Sequence, residues 1–101
     1  MRVELDFVVP CTALHAFCEA ADKLVGGCTV DRSERTGEWL MPDGMACVEP
    51  VRLVTVGFPV TGLVTGVRGL ASAIGLCGEH SMYVRHTGTG LAWVIECSKG
   101  R

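Results

Sequence analysis

Val51-Arg52-Leu53-Val54-Thr55-Val56-Gly57-Phe58-Pro59 is the stretch on which the fold turns. Val51, Val54, Thr55 and Val56 are β-branched, with Leu53 and Phe58 among them, and such side chains suit a pleated, half-buried surface. The run reads as a central strand, closed by Phe58-Pro59, because proline cannot continue a ladder.

Downstream, Thr61 is placed to cap a helix, and Leu63, Val67, Leu70, Ala71 and Ile74 recur at helical spacing as its apolar stripe. Gly62, Gly66 and Gly69 weaken this helix, each by about 1 kcal/mol relative to Ala. They share a face and predict the close approach of another backbone, from the sheet or from a second subunit. The segment from Gly75 to Gly78 ends the helix. Ser81 to His86 and Leu91 to Cys97 read as two short strands, joined by the hairpin loop Thr87-Gly88-Thr89-Gly90. Ser98 to Arg101 reads as a frayed tail.

Upstream, Val3, Leu5, Phe7 and Val9 alternate with Glu4, Asp6 and Val8, which is the period of a half-buried strand. Pro10 ends it. Thr12 is placed to cap a second amphipathic helix, striped by Leu14, Phe17, Cys18, Ala21, Leu24 and Val25 and stopped by Gly26-Gly27. Between Gly27 and Val51 the pattern is weaker. Cys28 to Arg35 reads as an edge strand or one arm of a ribbon, interrupted at Thr36-Gly37 and continued by Glu38 to Met41. Pro42-Asp43-Gly44 is a turn, and Met45 to Val48 runs back as the other arm.

The resulting order is β-α-β-β-β-α-β-β. It predicts one α+β domain over residues 1–101, a ferredoxin-like sandwich with two helices on one mainly antiparallel sheet. A core of this size leaves little margin, so self-association into a homo-oligomer is expected.

Composition narrows the function classes. Apolar residues make up 49% of the chain and charged residues 20%, which excludes a disordered segment. The net charge is −2, and Arg and Lys are scattered, the pairs that exist sitting beside acids (Asp31-Arg32, Glu34-Arg35), so general nucleic-acid binding is not expected. No stretch approaches the roughly 20 apolar residues of a membrane span. Met1-Arg2-Val3-Glu4-Leu5-Asp6 places acids where a signal peptide has its apolar core. The six cysteines contain no C-x-x-C pair and read as buried thiols of a reducing cytoplasm.

Few residues suggest chemistry. Cys11, His15 and Cys18 lie on one side of the first helix, but they span about 10 Å, too far to share one ion. Cys11 at a helix start, with His15 a turn away, is the pattern of a thiol nucleophile and its base; no residue that would orient the base can be read. There is no P-loop and no G-x-G-x-x-G, and no cofactor is expected. His80 and His86 flank the first strand of the C-terminal hairpin and read as loop histidines or as groups titrating near neutral pH. The ribbon is the richest segment: Arg32, Glu34, Arg35, Glu38, Asp43 and Glu49 surround Trp39. Arg32, Arg35, Glu38, Trp39 and Glu49 are the candidate binding residues. An aromatic among charges near a turn suits recognition; equally, the ribbon is solvated and its Trp folds back on the core.

From Arg2 to His86 the element order resembles the PII-like superfamily of trimeric small-ligand sensors, with residues 35–50 in the position of their long loop. That resemblance implies a ligand-binding homo-oligomer. The family's phosphate-binding glycine and basic motifs are missing, so no binding residue is carried over. Gly37-Glu38-Trp39, Glu49, and Leu70-Ala71 to Gly75 with Glu79 are similar to short motifs of small bacterial and phage proteins, which implies a mobile-element accessory protein. Three expectations follow: a non-catalytic homo-oligomer binding a small, nucleotide-like ligand; an accessory protein that binds and inhibits a host defence protein; and a thiol enzyme.

Overall fold

The stretch from Val51 to Phe58 lies beside the centre of the sheet, but as part of a longer strand. A computed structural model describes residues 1–40 and 43–97. Its elements are β1 (Arg2–Pro10), α1 (Leu14–Val25), β2 (Thr29–Val30), β3 (Arg35–Leu40), β4 (Ala46–Pro59), α2 (Leu63–Gly75), β5 (Ser81–His86) and β6 (Ala92–Glu96). Two helices pack on one six-stranded sheet in the order β2-β4-β1-β5-β6, with β3 also on β4. Every neighbouring pair is antiparallel.

The alternation of β1 sets the layers. Leu5, Phe7 and Val9 are buried, as are Val54, Val56 and Phe58 of β4 and Met82 and Val84 of β5. The register puts Leu5 opposite Val56 and Phe7 opposite both Val54 and Val84, so these side chains share one face. On it lie Phe17 and Ala21 of α1 and Leu70 and Ile74 of α2. Phe7 is the hub, its ring 5.2 Å from that of Phe17 and 6.1 Å from that of Phe58. Each large side chain buried here contributes roughly 1.5–3 kcal/mol. Neither helix covers the opposite face, to which Asp6, Val8, Thr55, Tyr83 and Arg85 belong.

The middle of the chain departs from the sequence expectation. Thr36-Gly37 does not interrupt a strand: both residues lie inside β3, with Gly37 opposite Glu49. The break falls earlier, between β2 and β3, where Asp31 Oδ1 accepts the Ser33 N–H at 2.9 Å and turns the chain. Glu49-Pro50 does not divide β4. β1 ends at Pro10, opposite Val51, so no ladder on that side needs an N–H from Pro50. Met41 at the end of the expected strand, Pro42 of the expected turn, and the tail from Ser98 to Arg101 lie outside the described residues.

The helix starts also differ. Thr12 and Thr61 cap nothing with their side chains; each sits in a 3-10 turn, Cys11–Ala13 or Val60–Gly62, that leads into the helix. Gly26 does end α1, in the left-handed conformation with its N–H on the Asp22 carbonyl. Gly66 and Gly69 admit side chains rather than a backbone. A Cβ on Gly66 would lie 2.7 Å from the Phe58 ring, and one on Gly69 would lie 2.6 Å from Leu24 Cδ1 of α1. Among the described residues no helix is long and apolar enough to cross a membrane.

Candidate functional site

Between Ala46 and Pro50, β4 has only β3 for a neighbour, so the two strands leave the sheet as a ribbon. Alternation puts Gly37 and Trp39 of β3 on the same side as Cys47 and Glu49 of β4. Trp39 stands opposite Cys47 and reaches diagonally, its indole Nε1 donating to Glu49 Oε2 at 3.0 Å. Gly37 makes the room: a Cβ there would lie 2.7 Å from a ring carbon of Trp39 and 2.9 Å from Val51 Cγ1. Cys47 Sγ points at the same Glu49 oxygen, 3.7 Å away.

Beneath this side of the ribbon is a cavity of about 690 Å³. Val8 and Pro10 border it where β1 ends, and Tyr83 and Val94 where β5 and β6 pair. The loop before β5 closes the far side with Glu79 and His80. That loop is tethered at both ends, by the Glu79 N–H on the Ile74 carbonyl at 3.3 Å and the Cys97 N–H on the His80 carbonyl at 2.9 Å. The cavity has the volume of a small-molecule site, and its borders mix apolar, aromatic and a few polar groups as such sites do. Burial, and then the nearby Glu49, push the Glu79 carboxyl above its ordinary range. Burial followed by Glu49 likewise pushes the Cys47 thiol up, which makes it a poor nucleophile.

A smaller cavity of about 220 Å³ shares Val8 and Tyr83 with the first and is bordered by Asp6, Arg35 and Arg85. Asp6 is 5% exposed. Its carboxylate accepts from Thr55 Oγ1 at 2.6 Å and from Arg85 at 3.1 Å. Burial raises its pKa, but the hydrogen bonds from Thr55, Arg85 and Thr87 outweigh that and leave it below the ordinary value.

The five candidate residues are therefore split. Trp39 and Glu49 meet in the larger cavity, and Glu38 borders it from the alternate face of β3. Arg35 borders the smaller one and lies 3.8 Å from Asp31. Arg32 is exposed in the bend before β3 and borders neither. Sequence reasoning missed Cys47, Glu79 and Tyr83 as neighbours of Trp39. Tyr83 had a readable signal, its alternation with buried Met82 and Val84; the approach of the Glu79 loop had none.

Cys11 and His15 do not meet. Cys11 Sγ lies 3.7 Å from Glu34 Oε1, and burial and then that carboxylate push its thiol up. His15 is 95% exposed and pairs with Glu19 at 4.0 Å. His86 holds the hairpin together, its Nδ1 accepting the Thr89 N–H at 3.1 Å. No three His, Cys, Asp or Glu side chains among the described residues are gathered so as to hold a metal ion. The chain matches no known family model, and no curated protein matches it significantly.

Proposed function

We propose that this chain is a non-catalytic, homo-oligomeric binding domain of ferredoxin-like build whose small ligand lies beneath the β3–β4 ribbon. The observation that carries this reading is the 690 Å³ cavity in which Trp39, Tyr83, Glu49 and Glu79 converge from four separate segments. The order β2-β4-β1-β5 supports the ferredoxin-like build, since each helix joins two strands that have one other strand between them in the sheet. Self-association is supported by β6, an edge strand on which Trp93 and Val94 are exposed. Raised thiol pKa values at Cys11 and Cys47 weigh against a thiol enzyme. Native mass spectrometry of gently purified protein tests the reading. An oligomer that sheds a small mass on denaturation fits it, and a bare monomer opposes it.

A second reading, an accessory protein of a mobile element that grips a host protein, draws on the ribbon's outer part. Leu40, Met45 and Val48 are 75%, 67% and 60% exposed there, more apolar surface than a solvated ribbon needs. Substituting Met45 and Val48, neither of which borders the cavity, with serine should abolish capture of a host protein if this reading is right, and should leave small-ligand binding intact if the first is.

A further inference from the structure

We infer that the ligand beneath the ribbon is an organic ammonium ion, held between the carboxylates of Glu49 and Glu79 and against the rings of Trp39 and Tyr83. This rests on the small-ligand reading above and adds the chemical class. The first ground is sign. Among the described residues neither lysine nor arginine borders the larger cavity, and His80 is the one side chain there able to carry positive charge. Carboxylates at a concave surface with apolar walls concentrate negative potential, which attracts cations and repels phosphates. The arginines that would serve an anion, Arg35 and Arg85, border the neighbouring cavity and already face Asp31 and Asp6.

The second ground is free acceptors. Glu49 uses Oε2 for Trp39 and Cys47, and its Oε1 has no hydrogen-bond partner among the described residues. The Glu79 side chain, half-buried, has none either. A bound ammonium group would donate to both and relieve the repulsion between them. Trp39 and Tyr83 add the aromatic surface on which organic cations bind. The third ground is size. The acids are spread around a large space rather than gathered at a point, so the fit is to an extended cation and not to a compact metal ion.

Isothermal calorimetry on the full chain tests this with three probes: putrescine, choline and AMP. The expected result is saturable binding of at least one cation and none of AMP. Glu79→Gln and Glu49→Gln should each weaken the cation about tenfold or more, while Glu19→Gln, which removes the same charge from α1, should leave it unchanged. AMP binding without cation binding overturns the ammonium assignment and keeps the small-ligand reading. If no probe binds, both fall. Cation binding that Glu19→Gln weakens as much as Glu79→Gln reduces the effect to surface charge and overturns the site.

Discussion

Arg85 of β5 reaches over the uncovered face of the sheet to Asp6 of β1, placing Nη2 3.1 Å from Oδ2, while Thr55 of β4 donates to the other oxygen at 2.6 Å. Three strands are thus tied through one buried carboxylate. Its pKa in the folded chain is lower than the ordinary value near 3.8. The stabilisation is therefore complete above that ordinary value and is lost as pH falls through the folded value. Urea midpoints should hold steady near neutrality and drop below about pH 4. Arg85→Met should cost about 1–3 kcal/mol and move the acid loss to higher pH, because burial then acts on Asp6 with less opposition.

The Trp39–Glu49 bond makes a second prediction. Gly37→Ala should displace the indole, since the new Cβ would fall within 3 Å of both the ring and Val51. In a Trp93→Phe background, fluorescence should shift to the red as Trp39 becomes wetter. Glu49→Ala should cost about 1–2 kcal/mol by leaving Nε1 without an acceptor. An unchanged spectrum in both variants would mean that the indole is not held.

Two glycines of α2 should answer the same substitution with opposite signs. Alanine gains about 1 kcal/mol over glycine in a helix interior. At Gly69 the obstacle is the end of Leu24, which is 43% exposed and can turn aside, so Gly69→Ala should stabilise by up to that amount. At Gly66 the obstacle is the fully buried ring of Phe58, 2.7 Å away, and Gly66→Ala should destabilise by about 1–3 kcal/mol. Thermal melts of the two single variants decide it.

The thiols should react in sequence. Burial, followed by Cys18 and Asp22, pushes Cys28 up to about 11, and burial, followed by Glu79, does the same for Cys97. Cys77 is exposed. Mild alkylation near pH 8 with mass mapping should label Cys77 first and leave Cys28 and Cys97 until the chain is unfolded.

Strand β1, both helices and the C-terminal hairpin were legible because each carries an unbroken period, as in Leu5-Phe7-Val9 or Leu70-Ala71-Ile74. The ribbon was legible as a feature but not in its divisions. Gly37 and Pro50 look like breakers by local chemistry, yet one lies under an indole and the other faces no strand on its outer side, and both facts are tertiary. Trp39 and Glu49 could be chosen because charge and aromatic surface cluster there in sequence. Arg32 belonged to that cluster only along the chain; the Asp31–Ser33 turn carries it away from the cavity. Glu79 could be named in a short motif, but not as a neighbour of the ribbon, for the converse reason: thirty positions separate it from Glu49, and only the fold brings the two to one cavity.

β4 runs from Ala46 to Pro59 with its register unbroken against both β3 and β1. Its even positions 54, 56 and 58 fill the core, and its odd positions 47 and 49 look into the larger cavity. One parity therefore governs both ends of the strand. An insertion or deletion of a single residue near Arg52 would put them out of phase, leaving either a sound core with the cavity's acid turned away or the reverse. The hydrophobic interior thus keeps time for a site it never touches.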